Sequence, residues 1–370
     1  MPIHKDLEIA YQFAPIFCQK VHEKNPRGDF ISRIDFRKQG KLEDVKDNFK
    51  YVNAPYENEE DLREAIENNG PFDYELKPYV YYSVVESPTH YFIIYAFYHP
   101  QDWYDGFIPL RKHFDEHPND MEGCLVVVSK ARPEKERRVE AVITVWHDDY
   151  CSFASWVDNE GKALYPDDIF TITDVKSQEN IDGNLHPMWH KDEKGEDFIR
   201  FRLYSASGGH AVRADKDFWG HTARIIRYYP SLEEAQQPPT LAPGTTPSPL
   251  YDVKVDKPGN PMCGQNKTDF EAVPYELVDI FAQEKEGLWQ ARNDLKVFRN
   301  NEKGQAAFVE LKKKKLGPGA AKPPWGWMDR NDNHRIGELA LQPALIVYDY
   351  FSGLREFSLQ YERNTYLGIG

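Results

Sequence analysis

The sequence is poor in cysteine. Four of its 370 residues are Cys, and they are scattered without a CxxC pair, at Cys18, Cys124, Cys151 and Cys263. Disulfide-dependent secreted domains carry many closely spaced cysteines, and thiolate zinc sites need paired ones. We therefore predict reduced, mostly buried thiols, as in a cytosolic protein, although a secreted protein whose leader has been removed would show the same pattern.

Long hydrophobic runs are also missing. The longest apolar stretches, such as 91–98, are far shorter than the roughly 20 residues that a membrane-spanning helix needs. Charged residues interrupt the first 30 residues, so no signal peptide is visible. We predict no transmembrane segment and a cytoplasmic location, or a secreted one if a leader was removed. Peripheral contact with a membrane stays open.

The chain has no excess of basic charge. It carries 46 Lys and Arg against 60 Asp and Glu, a net charge of −14. Nucleic-acid partners are disfavoured, because phosphate binding needs a basic surface. The sequence also has no G-x-S-x-G, no phosphate-binding glycine loop and no HExxH motif. A small molecule or a glycan is the predicted partner.

Aromatic residues, in contrast, are plentiful: the chain has 22 Tyr, 21 Phe and 8 Trp. This composition favours β structure. Segments rich in Tyr, Val and Ile, either continuous or alternating with polar residues, predict β-strands. Segments 79–86 and 91–98 would form one hairpin, segments 124–129 and 139–146 a second, and 198–205 a later strand. Helices are predicted over 274–291 and 343–351.

These elements predict a mainly β fold, with a β-sandwich core, peripheral helices and long loops, α+β overall. Residues 1–230 would form the sandwich core with N-terminal helical segments. Residues 231–370 would form a proline-rich arm and C-terminal decoration packed on the same domain.

An acidic and histidine-rich stretch, 113–122, lies between the two predicted hairpins. It holds two His and four carboxylates in ten residues, with His117, Asp120 and Glu122 spaced i, i+3, i+5. Asp120 and Glu122 share one face of an extended chain, and Pro118 keeps His117 out of the helical region. Crowded carboxylates repel each other unless a cation or a shared proton intervenes. We predict a metal site in a functional loop; a solvated acidic loop is the alternative.

The donor set indicates which ion such a site would take. Carboxylates with one or two imidazoles suit Ca²⁺, Mg²⁺ or Mn²⁺, whereas Zn²⁺ would need more nitrogen or sulfur. Met121 should point to the opposite face and be core. His210 follows two glycines, which would let its ring enter a cleft as a ligand or general acid/base. The alternative for His210 is a turn histidine bonded to backbone. We predict His210 and Glu122 as the catalytic residues.

Two tryptophans of the segment 324–327, Trp325 and Trp327, lie in a region rich in Gly and Pro. They would either supply an aromatic wall for a sugar or lipid head group or belong to the core. The motif Trp146–Tyr150, which ends a strand, would either face the same cleft or form an ordinary polar turn.

The paired Tyr-rich strands, the H-x-x-D-x-E turn before an apolar strand, and the late small-residue turn with His resemble the necrosis- and ethylene-inducing-like proteins. In that family the turn reads GHRHDWE, and its His, Asp and Glu bind a divalent cation on a β-sandwich. The matching positions are His117, Asp120 and Glu122, while Asn119 and Met121 stand where the family has His and Trp. The family's upstream Asp would correspond to Asp102, which otherwise caps the turn after its strand.

The chain is similar as well to vacuolar-protein-sorting-sixty-two relatives, through Phe13–Ile16 and Gly208–Ala211. The two resemblances together cover residues 8–215. Necrosis-inducing proteins are secreted and disulfide-bonded, and this chain shows neither signal.

Three functions follow as alternatives. The first is a divalent-metal-dependent enzyme, a hydrolase or lyase acting on a neutral glycan or small ester, since an acidic surface disfavours polyanionic substrates. The second is a metal-dependent glycolipid- and membrane-binding cytolysin of the necrosis-inducing type. The third is a non-catalytic, vacuolar-sorting-like trafficking protein with a structural cation.

Overall fold

The computed structural model describes part of the chain. The described residues are 5–21, 29–34, 77–102, 117–131, 133, 137, 139–154, 182–185, 187–191, 197–214, 224–232, 254–255, 272–282, 287–293, 298–300, 304, 306–308, 321–332, 334–351 and 357–370. In these ranges β structure dominates and the helices are few and peripheral.

The described strands, in chain order, are β1 (Ile16–Val21), β2 (Tyr79–Glu86), β3 (His90–Asp102), β4 (His117–Ser129), β5 (Val139–Trp146), β6 (Asp149–Ala154), β7 (Gly183–Asn184), β8 (Pro187–Lys191), β9 (Asp197–Ser205), β10 (Val212–Arg213), β11 (Arg224–Ser231), β12 (Lys254–Val255), β13 (Ala272–Asp279), β14 (Phe298–Asn300) and β15 (Ala306–Phe308). The α-helices are α1 (Lys5–Phe13), α2 (Glu338–Leu341) and α3 (Pro343–Phe351), and short 3-10 helices span Pro324–Gly326 and Thr365–Leu367.

Thirteen of these strands form one sheet, in the order β10-β9-β1-β11-β13-β2-β3-β4-β5-β6-β7, with β12 beside β11 and β8 beside β9. The run from β2 to β6 is an antiparallel meander, as expected for strands that follow one another closely. The parallel pairs are β1 with β9, β11 with β13, β13 with β2, and β6 with β7. Strands β14 and β15 form a separate pair.

The sheet curls so that one face encloses a core. The rings of Phe17 on β1 and Phe97 on β3 stack with centroids 3.9 Å apart, although three strands separate β1 from β3 in the sheet. Helix α1 also lies against this face, where the Tyr95 hydroxyl donates to the Ala10 carbonyl at 2.6 Å. Each buried Phe contributes about 2–3 kcal/mol, so this inner core is a main source of stability.

The opposite face of the meander carries a second core, which the C-terminal third covers. Residues of α2, α3 and the 321–327 segment pack there against Tyr98, Met121 and Leu125. The indole N–H of Trp327 donates to the carbonyls of Met121 and Lys322, at 3.2 and 3.1 Å. A Cβ on Gly123 would lie 2.3 Å from the Tyr95 carbonyl oxygen, so glycine permits this close packing.

The mainly β prediction is confirmed, as are both hairpins, the strand near 198–205 and the helix at 343–351. The helix predicted over 274–291 is wrong. Its first part belongs to β13, where Val273, Tyr275 and Leu277 are buried at every second position. Parallel pairing with β11 and β2 places β13 inside the sheet, so the C-terminal third supplies a core strand as well as decoration.

Both ends of the loop expected between the two hairpins are β-strand. Strand β3 continues to Asp102 and β4 begins at His117, and the two pair antiparallel up to these residues. The part of the acidic motif from His117 to Glu122 therefore lies in a paired strand and not in a loop, because the hairpin register extends through it, and residues 113–116 lie outside the described residues.

Two predictions drawn from missing features also have an outcome. Cys18, Cys124 and Cys151 are buried free thiols, as predicted, and Cys263 lies outside the described residues. In the described part of the chain, no helix has the length and apolarity needed to cross a membrane.

Candidate functional site

Strand β4 supplies two acidic residues of the site. Asn119 has a φ of 60°, and its side-chain oxygen accepts the Tyr98 hydroxyl at 2.6 Å, so the strand enters the sheet through a fixed kink. After this kink Asp120 and Glu122 lie on the face of the inner core, and Met121 packs in the outer core, as predicted from the two-residue period. Both carboxylates are buried, each with 4% of its surface exposed.

His210 joins this face from the turn after β9. It is fully buried and has a φ of 49°. Its Nδ1 lies 2.8 Å from Asp120 Oδ2 and its Nε2 lies 3.1 Å from Asp29 Oδ1. The Gly208 backbone N–H also donates to Asp29 Oδ1, at 2.7 Å, which orients that carboxylate. His210 thus bridges two acids, and both of its ring nitrogens are occupied.

The charge of His210 follows from this bridge. Burial alone would lower the pKa of the imidazole, but the hydrogen bonds to Asp120 and Asp29 outweigh it and raise the pKa to about 9. The Asp29–His210–Asp120 bridge therefore holds a protonated imidazole between two carboxylates at neutral pH.

His99 lies flat against His210. The two rings stack with centroids 3.7 Å apart and an angle of 3° between their planes. His99 Nδ1 is 3.1 Å from the Asp29 carbonyl oxygen, whereas its buried Nε2 has no hydrogen-bond partner in the described part of the chain. Burial, and next the charge of His210, hold the pKa of His99 well below its usual value. His99 is thus neutral, and since Nδ1 donates to the carbonyl, Nε2 carries a lone pair.

Glu122 is the least satisfied acid of the site. Its Oε1 accepts the His147 backbone N–H at 3.1 Å, but its buried Oε2 has no hydrogen-bond partner among the described residues. Burial, together with the negative charge of Asp120, raises the pKa of Glu122 well above its usual value. A buried carboxylate in this state attracts a proton or a cation.

His147 connects the site to solvent. Its Nδ1 lies 3.6 Å from Glu122 Oε1, and 41% of its side chain is exposed. A Cβ on Gly209 would lie 3.2 Å from His147 Cε1, so the small residue lets the His210 turn pack directly on this ring. His147 and Asp148 form the turn between β5 and β6, as one alternative expected, and this turn also lies beside Glu122.

Two basic side chains bind Asp148, the residue after His147. Asp148 is bound by Lys322, which is 2% exposed, and by Arg330 at 2.7 Å. The charge of Lys322 partly opposes the rise in the pKa of Glu122. Four acids and three positive side chains therefore meet within this region, counting protonated His210.

The structure brings together three of the predicted site residues, Asp120, Glu122 and His210. Asp102 is buried, but it stands three residues beyond His99 on β3, an odd offset that places neighbouring strand side chains on opposite faces. His117 pairs with Asp102 in the backbone register, and its side chain lies outside the description.

The predicted metal ligation stays a prediction. Among the described residues, no three side chains of the His, Cys, Asp and Glu types are grouped so that they could hold a metal ion. One reason is that Asp120 is already engaged, with Oδ1 accepting the Met121 N–H and Oδ2 facing His210. At this site, Glu122 Oε2 and His99 Nε2 are the buried ligand atoms that have no hydrogen-bond partner among the described residues.

Sequence reasoning missed Asp29, His99 and Lys322 as members of the site. His99 had a usable signal, because the hairpin register pairs it directly with Asp120. Asp29 and Lys322 had none, because each reaches the site from a distant part of the chain.

No protein-family model and no curated protein matches the chain. Among solved structures, the non-toxic HaNLP3 protein is 15% identical, with 57% of this chain and 69% of that chain covered and a TM-score of 0.24. Necrosis and Ethylene inducing Protein 2 from the causal agent of cocoa's Witches Broom disease is 11% identical, with 49% and 61% covered and a TM-score of 0.22.

A third solved structure, NLPPya in complex with mannosamine, is 12% identical, with 57% of this chain and 77% of that chain covered and a TM-score of 0.21. The structures similar to this chain thus include necrosis-inducing-like proteins. TM-scores this low do not establish a shared fold.

Proposed function

We propose that this protein is a cation-dependent binding protein for a neutral, hydroxyl-rich ligand such as a sugar head group. The observation that carries the proposal is the buried Oε2 of Glu122, which has no hydrogen-bond partner among the described residues and lies beside a second carboxylate. Leaving a buried carboxylate oxygen unsatisfied costs about 1–3 kcal/mol or more. A bound divalent cation would remove that cost and the repulsion from Asp120.

The donor chemistry fits a hard divalent ion. Glu122 would supply its Oε2, which has no hydrogen-bond partner among the described residues, and Asp120 lies beside it, whereas Asp102 stands at a register position on the opposite face. Carboxylate-rich sets of this kind suit Ca²⁺, Mg²⁺ or Mn²⁺. When bound, the ion would supply a positive centre that accepts lone pairs from ligand hydroxyls.

Binding is favoured over catalysis by the geometry of His210. Both ring nitrogens contact carboxylates, so neither is open to a substrate or a metal. The sequence offers no nucleophile motif either. His147, with its partly exposed ring, is the residue placed to contact a ligand at the surface.

A neutral ligand follows from the charges. The chain has a net charge of −14, and the acids of the site are largely matched by Lys322, Arg330 and His210. A polyanion would meet a repulsive surface, whereas hydroxyl groups can bind a cation and an imidazole without a charge penalty.

Calorimetry tests this proposal. The metal-free protein is titrated with Ca²⁺, Mg²⁺ and Mn²⁺, and the loaded protein with simple neutral sugars. Glu122→Gln keeps the shape and removes the charge, so cation affinity should fall about tenfold or more. Glu140→Gln is the matched control, because Glu140 lies on the neighbouring strand β5 and contacts His90 instead.

Unchanged cation affinity in Glu122→Gln would show that the ion binds elsewhere or not at all. Equal sugar binding with and without chelator would remove the cation from the mechanism.

A metal-dependent hydrolase or lyase is the second candidate, and the observation that favours it concerns His99. The Nε2 of His99 has no partner among the described residues and lies in the same cluster as Glu122, where it could accept a proton from a substrate. Turnover of neutral glycosides or esters in the presence of cation would support this candidate. His99→Gln should then abolish turnover while sugar binding survives.

A further inference from the structure

A second cleft lies in the C-terminal third and shares no residue with the site above. Its volume is about 690 Å³, within the range of small-molecule sites. Its walls and rim include Trp289, Trp325, Arg292, Arg335, Asn293 and Asn300. Arg335, Asn293 and Asn300 are exposed, so the cleft opens to solvent.

The apolar wall of the cleft is made of packed aromatic rings. Trp289 and Trp325 meet edge to face with centroids 5.0 Å apart, and Phe298 supports Trp325 at 5.4 Å. A Cβ on Gly326 would lie 2.3 Å from the Ala306 carbonyl oxygen, and one on Gly337 would lie 2.4 Å from the Trp325 carbonyl oxygen. The backbone at Trp325 and at the residue after it is therefore closely packed against neighbouring segments, and glycine permits both approaches.

The charge of the cleft is opposite to that of the chain. Two guanidinium groups and His334 line it, and its described lining includes no Asp or Glu, in a protein with 60 acidic residues. Arg292 lies over the Trp289 ring at 4.5 Å and donates to the Trp289 carbonyl at 2.8 Å, which holds it in place. Within the described residues neither guanidinium forms an ion pair with a carboxylate.

His334, which also lines the cleft, lies near two acids. Its Nδ1 lies 3.9 Å from Glu338 and 4.0 Å from Asp349. Glu338 also accepts the backbone N–H of Arg335 at 2.9 Å, but it forms no ion pair with the Arg335 guanidinium in the described part of the chain.

The indole N–H of Trp325 is a further reason to expect a ligand in the cleft. The indole N–H of Trp325 is buried and has no acceptor among the described residues. A buried donor without a partner is costly, and a ligand oxygen in the cleft would satisfy it.

From these observations we propose that the C-terminal cleft binds a small organic anion, a carboxylate or a phosphate ester with a flat apolar body. The body packs on Trp289 and Trp325, and the anionic group binds Arg292 and Arg335, because guanidinium groups pair with carboxylate and phosphate oxygens through two hydrogen bonds. The amides of Asn293 and Asn300 supply further donors at the rim.

Two probes of the same shape and opposite charge test the proposal. Calorimetry with 2-naphthoate and with 2-(aminomethyl)naphthalene compares an anion with a cation, in chelator so that no divalent ion takes part. The full-length protein should bind the anion about tenfold or more tightly than the cation. Arg335→Gln and Arg292→Gln should each weaken naphthoate binding by about tenfold, as expected for loss of one charged partner.

Arg137→Gln is the matched control, because Arg137 also lies over an aromatic ring, that of Tyr91 at 5.3 Å, but does not line the cleft. Equal affinity for the two probes, unchanged binding in both cleft variants, or the same loss in the control would each overturn the proposal. If Arg292→Gln does not fold, the Arg335→Gln variant tests the proposal by itself, because Arg335 is exposed. A phosphate ester of 2-naphthol that binds more tightly than the carboxylate would identify phosphate as the anion. Because chelator is present throughout, failure here leaves the cation-dependent function untouched.

Discussion

The Asp29–His210–Asp120 bridge can be broken by one nearly isosteric change, Asp29→Asn. The variant keeps an oxygen that can accept the Gly208 N–H, but it removes one of the two charges that face the imidazole. His210 then loses about half of its electrostatic support, so its pKa should fall toward the usual value. Removing one partner of a buried charge pair costs about 3–5 kcal/mol.

The pH dependence gives the sharper signature. The folded pKa of His210 is about 9, against 6.5 for an unperturbed imidazole, a difference of 9 − 6.5 = 2.5. Since the folded state holds the proton more tightly, this stabilisation is fully present below about pH 6.5 and is lost as the pH rises through about 9. The amount is about 3 kcal/mol, at 1.36 kcal/mol per pKa unit.

The neighbouring groups titrate with known sign. The lowered pKa of His99 means that its contribution to stability is lost as the pH falls below about 6.5, outside this window. The raised pKa of Glu122 has the same sign as that of His210, so stability again declines as the pH rises, and Asp29→Asn does not remove that part.

Urea unfolding at several pH values between 6.5 and 9.5 measures the effect. The free energy of unfolding of the wild-type protein should fall across this range, and the fall should be clearly smaller in Asp29→Asn. Asp6→Asn serves as control: Asp6 pairs with Arg363 through two contacts of 2.6 and 2.7 Å, and an arginine does not titrate here. Equal slopes for wild type and Asp29→Asn would refute a charged His210 held by two acids.

Three further changes address packing and hydrogen bonding. Gly123→Ala places a methyl group against the Tyr95 carbonyl and the Trp327 ring, and should lower the free energy of unfolding by about 3 kcal/mol or more. Gly368→Ala is the control: a methyl group there points into open space, so the variant should lose about 1–2 kcal/mol from backbone strain alone. Gly209→Ala pushes on His147 and should weaken cation-dependent sugar binding severalfold in calorimetry, with a change in Tm of only a few degrees. Tyr350→Phe removes the hydroxyl that donates to buried Asp329 and should cost about 1–3 kcal/mol by urea unfolding, without any change in sugar affinity.

Local pattern was enough for several parts of the fold. Tyr- and Val-rich segments gave both hairpins because alternation and short turns are properties of neighbouring residues. The helix at 343–351 followed from its own sequence in the same way. Strand β13 was mistaken for a helix, because its conformation depends on parallel partners far away in the chain, β2 and β11.

The candidate site likewise has a part that local pattern predicts and a part that it does not. The sequence by itself determined that Asp120 and Glu122 share a face and that Met121 faces away, since a strand alternates every residue. Only the tertiary structure decided that His210, 90 residues from Asp120, and Asp29, 181 residues from His210, would meet there. It also decided that strand β3 continues through Asp102, so that alternation places Asp102 on the face opposite to His99. The physical reason is that alternation is local, whereas the curling of the sheet depends on every strand and on the cores packed against both of its faces.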